Sequence, residues 1–152
     1  MGTYELVLFA HVIAAAAWFG AAFLLLLLVE LGTRSGDTAT ILRMGRYEDR
    51  FAKVLFIPSA LVVLVAGVAL TLDGPWSFGN DGWVVAGLVL LAAVFVLGVA
   101  LIVPAGNKLK ELGASGASEP ELHAQIARIR TLSWIDIGLL TAAFFLMTTK
   151  PF

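Results

Sequence analysis

The sequence has no cysteine and only two histidines. Without Cys there is no disulfide, zinc finger, thiolate nucleophile or cysteine-ligated iron–sulfur cluster. Any metal chemistry must therefore use few protein ligands. Charge is scarce as well: 14% of the 152 residues are Asp, Glu, Lys or Arg, where a soluble domain carries roughly a quarter. A net charge of −1 gives no basic field to attract nucleic acid, and that partner class is excluded. What abounds is apolar. Hydrophobic residues make up 60% of the chain, and mean hydropathy is +0.94. Too little polar surface remains to wet a globule, which excludes a water-soluble enzyme.

The apolar residues fall in four runs. Residues 6–29 contain no Asp, Glu, Lys or Arg, nor do Val54–Leu72 and Gly82–Asn107; Thr131–Thr149 holds one charge, Asp136. About 20 apolar residues span a bilayer as a helix, and lipid selects helix because every backbone group must be satisfied internally. The expected fold is an all-α integral membrane protein, a single-domain bundle of four transmembrane helices. Their spans are about 5–29, 54–72, 82–106 and 131–149. Glu5 stands where a signal peptide would carry positive charge, and the first run exceeds a usual h-region, so it is expected to remain as a span. Membrane lipids are the first partners.

Nine of the ten Lys and Arg lie between spans 1 and 2 or between spans 3 and 4, and only Lys150 lies at the other end. The positive-inside rule assigns those two connections to the cytoplasm, with both termini outside. Both connections read as partly helical. Asp37 can cap a helix running through Ile41, Leu42 and Phe51 into span 2, with Arg43, Arg46, Arg50 and Lys53 as one basic stripe toward lipid headgroups. Ser118-Glu119-Pro120-Glu121 has the capping-box pattern, so helix 4 is expected to begin near Glu119 and protrude. Pro58 is expected to kink span 2. Trp76 and Trp83 flank a tight turn as interfacial anchors.

His11 lies five residues into the first run, roughly 8 Å from its end. Ala14, Ala15, Trp18 and Ala22 share its face, and the small side chains let a helix or flat cofactor approach closely. A neutral imidazole is a common axial ligand of haem iron; equally, it can hydrogen-bond a neighbouring helix. Met147 falls at a similar depth and could complete a His/Met pair, or simply fill a gap. Asp136 lies toward the opposite face of the membrane. It reads either as an ion pair with Arg50, Lys53 or Arg130, or as a proton relay or cation site. His123 follows the capping box and is expected to be solvated.

The segment His11-Val-Ile-Ala-Ala-Ala-Ala-Trp18-Phe-Gly20 resembles the His-x6-Trp-x-Gly opening of copper-resistance D type membrane proteins. It is also similar to the four-helix bacterial membrane protoporphyrinogen oxidases, and that resemblance implies haem b on His11. Glu48-Asp49-Arg50-Phe51, followed by Pro58 and Gly67, resembles the oxidases' second block, which makes Glu48 and Arg50 site candidates. Trp83 and the closing Lys150-Pro151-Phe152 are likewise similar. Two positions depart: Gly87 stands where the oxidases carry a Lys needed for activity, and Ser133-Trp134 where they carry Asn-Glu. The whole pattern more closely resembles a related group of predicted four-helix integral membrane proteins. The resemblance implies a multi-pass protein of a bacterial-type plasma (inner) membrane that binds haem b, with a homodimer as one source of a second axial His11. A non-catalytic scaffold and a copper-handling transporter using Met1, Met44 and Met147 are the alternatives. No substrate is identified by any residue pattern.

Overall fold

A computed structural model describes residues 2–45 and 47–151, apart from the side chains of Glu48 and Asp49. Among the described residues all regular structure is helical. Helix α1 (Thr3–Ser35) is 33 residues long, about 50 Å at 1.5 Å per residue. It outruns a hydrocarbon core of about 30 Å and protrudes at the end where the Lys and Arg cluster, called the basic end below. It stops at Gly36, whose φ of 70° is left-handed, and the Asp37 N–H closes on the Gly32 carbonyl at 2.9 Å. Glycine adopts that conformation without a Cβ penalty.

Helix α2 (Thr38–Gly45) lies beneath the bundle. Asp37 caps it by accepting the Thr40 N–H at 2.9 Å and the Thr40 hydroxyl. The Thr40 hydroxyl and then its N–H hold the Asp37 carboxyl below the usual carboxylate range. The cap is therefore intact at neutral pH and lost as the pH falls through that lowered value. The expected continuous helix from Asp37 into span 2 does not form: α2 ends at Gly45, and a turn at Tyr47 precedes α3 (Glu48–Phe51). That break removes the helical spacing on which one basic stripe depended; Arg46 lies outside the described residues. Ile41 is 4% exposed and packs with Leu109 and Ile126. A Cβ at Gly32 would lie 2.7 Å from Ile41 Cγ1, so glycine admits the contact. Ile41→Ala is expected to destabilise the protein by about 2–5 kcal/mol, measured by denaturant titration in detergent.

Spans 2 and 3 share a device. A π-helical turn, Ala52–Phe56, precedes α4 (Ile57–Asp73), and a second, Gly98–Ile102, joins α5 (Gly82–Leu97) to α6 (Val103–Ser115). Each is closed by an N–H five residues on, Ile57 to Ala52 and Val103 to Gly98, and the next residue is proline, Pro58 or Pro104. Proline has no N–H to continue the ladder, and widening the turn accommodates its ring. The first π turn adjoins Pro58, where a kink is expected; the second, at Pro104, was not anticipated.

Helix α7 (Glu119–Thr149) begins at the expected Glu119, where Glu121 accepts the Ser118 N–H at 3.0 Å and its hydroxyl at 2.7 Å. Four helical stretches, Thr3–Ser35, Ala52–Asp73, Gly82–Ser115 and Glu119–Thr149, are long and apolar enough to cross a membrane. Large apolar side chains such as Phe9, Val65, Val89 and Phe145 point outward and are exposed, a surface suited to lipid rather than water. Packing runs α4–α1–α7–α5, and among the described residues α4 and α5 do not pack closely together. The bundle is thus open along one seam. Trp18, Ala60, Val94 and Leu140 form its central core.

Candidate ligand cavity in the membrane

The seam holds a cavity of about 310 Å³ in the half nearest the chain termini, lined from all four spans. Ligand pockets run from ~300 to ~1,000 Å³, so this one is small. Exposed lining residues such as Val12 and Leu64 carry it to the lipid-facing surface, where a larger ligand could extend. His11, Ala15 and Trp18 enter from α1 and Met147 from α7. Ala14 is half-buried and outside the lining, while Ala22 belongs to a second cavity nearer the basic end.

Two glycines seat the two candidate ligands. A Cβ at Gly67 of α4 would lie 3.1 Å from His11 Cε1 and 3.5 Å from its Nδ1. A Cβ at Gly87 of α5 would lie 2.9 Å from the Met147 methyl. The ring of His11 therefore rests on the bare backbone of one helix and the thioether of Met147 on that of another. His11 Nδ1 is buried with no hydrogen-bond partner among the described residues. The Val63 backbone comes near the ring, but not in a geometry that satisfies that nitrogen. An unpaired buried polar atom is costly and calls for a partner.

The terminus end of the cavity is walled by aromatic residues and a cation. Trp76 and Trp83 meet edge to face with ring centroids 5.1 Å apart, and Lys150 Nζ lies 4.0 Å from the Trp76 centroid and 5.5 Å from that of Trp83. Cation–π contacts of this kind contribute about 0.5–2 kcal/mol. Trp83 is 6% exposed, so it is an inward wall rather than the interfacial anchor expected. Trp76 and Lys150 cover it from other elements. Lys150 itself takes a left-handed φ of 45° at the end of α7.

Asp136 is elsewhere. It is 8% exposed and lines the second cavity, toward the basic end. The expected ion pair is not formed: Arg130 lies 3.6 Å from Glu30 instead, Arg50 and Lys53 are exposed, and no hydrogen bond or ion pair reaches Asp136 among the described residues. Glu30 gathers the nearby polar groups, accepting the Trp134 indole N–H at 2.9 Å with Arg34 at 3.8 Å. Of the Glu48–Arg50 block, the side chain of Glu48 lies outside the described residues and Arg50 is exposed. His123 is exposed, as expected. Lys150, Gly67 and Gly87 complete the cavity as wall and seats. Their signal in the sequence was the scarcity of basic residues at that end and two glycines inside apolar spans.

Four lipid-facing helices around an internal cavity define a four-span integral membrane protein. The chain belongs to the family described as "Predicted integral membrane protein (DUF2269)", whose model matches residues 5–151. No curated protein and no solved structure matches it.

Proposed function

We propose that the protein binds haem b in the cavity between α4 and α5, with His11 as an axial ligand, in a bacterial-type plasma membrane. The observation that carries this reading is His11 on the lining of a cavity with aromatic walls, its ring seated against Gly67 and its buried Nδ1 without a partner among the described residues. Among the described residues no three His, Cys, Asp or Glu gather to hold a bare metal ion. Haem iron needs no such group, because the macrocycle supplies four nitrogens and the protein only the axial positions. Met44 lines a separate groove from Met147, so among the described residues copper chemistry finds no cluster of thioethers; Met1 lies outside them. The likeness of His11–Gly20 to the oxidase and copper-resistance D proteins supports the same ligand.

Haem b in this position would supply a one-electron iron couple. The chain's own residues would hold it. His11 offers the imidazole, Gly67 fixes the ring's position, and Trp83, Phe144 and Leu91 exclude water. Lys150 is the only Lys or Arg at that end of the sequence and is placed to meet the ligand's carboxylates. Met147 shares the cavity and is the second axial candidate; His11 of another copy is the alternative source. The proposed function is haem binding and electron transfer. Porphyrinogen oxidation is not included, because Gly87 stands at the oxidases' Lys position and its space is filled by the Met147 methyl.

Haemin titrated into the detergent-purified protein is expected to give a saturable Soret band that His11→Ala abolishes. Met147→Ala changes the spectrum if Met147 is the other ligand and leaves it unchanged if a second copy supplies it. A titration indistinguishable from haemin in empty micelles would sink the reading.

A further inference from the structure

The second cavity, about 220 Å³, lies in the basic half of the same seam. Trp18 and Val94 line both cavities and stand between them. Three features of the lower cavity point to one kind of ligand. The first is Asp136 itself, more than nine-tenths buried, lining the space with no partner among the described residues. A bare carboxylate among apolar walls is expensive, and intramembrane carboxylates are found paired or at ion pathways.

The second is Ser133, one turn earlier on α7 and lining the same cavity. Thr131 and Thr141 on this helix donate their hydroxyls to carbonyls four residues back, at 3.0 and 2.7 Å. The Ser133 hydroxyl makes no such bond among the described residues and is free to serve as an oxygen ligand. The third is the backbone. Both π-helical turns open onto this cavity, through Ala52 and Phe56 on one side and Gly98, Val99 and Ile102 on the other. Pro58 and Pro104 each withdraw an N–H, and the widened turns beside them open the wall of the cavity. Asn107, exposed and on the lining, marks the mouth at the basic end.

We infer that Asp136 and Ser133 bind a small, partly hydrated monovalent metal cation entering from the basic end. The donors are all oxygen, which suits a hard cation. A single carboxylate balances a single positive charge, whereas a divalent ion would leave net charge in the apolar interior. This inference is independent of the His11 reading: it uses the other cavity and none of the haem-binding side chains.

The test is thermal melting of the full chain in neutral detergent, with NaCl replaced by N-methylglucamine chloride at constant ionic strength. Wild type is expected to show a saturable rise in Tm with Na+. Asp136→Asn is expected to lose that dependence while melting no lower than sodium-free wild type, since the unpaired charge is gone. Ser133→Ala is expected to raise the half-saturating Na+ concentration about tenfold, the equivalent of one lost ligand bond. Equal Na+ dependence in wild type and Asp136→Asn overturns the inference. So does a Tm that follows pH alone with no response to Na+, which assigns the compensating charge to a proton.

Discussion

Gly67→Leu is expected to lower haem affinity about 10–100-fold, the range seen when a group that orients a metal ligand is lost. Even a Cβ at this position would press on the His11 ring at 3.1 Å, and the branched end of Leu needs the volume that the imidazole now occupies. The ring must swing away, and its nitrogens leave the cavity. Helix α4 itself does not suffer, because Leu is a better helix former than Gly by up to about 1 kcal/mol. Binding falls while the fold stays, and that combination separates positioning from stability. Soret titration together with far-UV circular dichroism measures both. Haem affinity equal to wild type in a folded Gly67→Leu protein would mean that His11 does not hold the ligand in this pose.

Trp18→Ala is the second large effect, and it falls on stability. Trp18 is 8% exposed in the central core with Ala60, Val94 and Leu140. Truncating a buried Trp costs about 3–5 kcal/mol through lost contacts and an unfilled cavity. The site cannot collapse easily here, because space already exists on both sides of the indole. Denaturant titration in detergent is expected to show a loss in that range. A change under about 1 kcal/mol would place Trp18 on the periphery rather than at the divide between the two cavities.

The spans were legible in the sequence because length and hydropathy alone decide what can cross a bilayer. The start of α7 at Glu119 was also legible, because capping chemistry is local: Ser118, Pro120 and Glu121 settle it within one turn. The interior was not. Helix α5 is apolar on every face, and lipid accepts apolar side chains as readily as a core does. Val84 and Val94 are buried while Val85 and Val96 are exposed, a distinction that composition cannot make. The burial of Trp83 is illegible for a related reason, since Trp76 and Lys150, which lie beside it, come from other elements. The surroundings of Asp136 are not legible either: Arg130 lies by Glu30 of another helix, and Arg50 and Lys53 are exposed. For the cavity, the depth of His11 and Met147 was readable from their distance to the span ends, but their glycine seats came from facing helices.

In the proposed function His11 anchors the haem, and its loss removes the haem. The most direct measurement is a pyridine haemochrome assay on wild type and His11→Ala, purified from membranes of cells supplied with haem. Wild type is expected to yield protohaem in fixed proportion to the chain, and His11→Ala to yield none above background. A colourless wild type, or a His11→Ala protein with the wild-type haem content, would contradict the account.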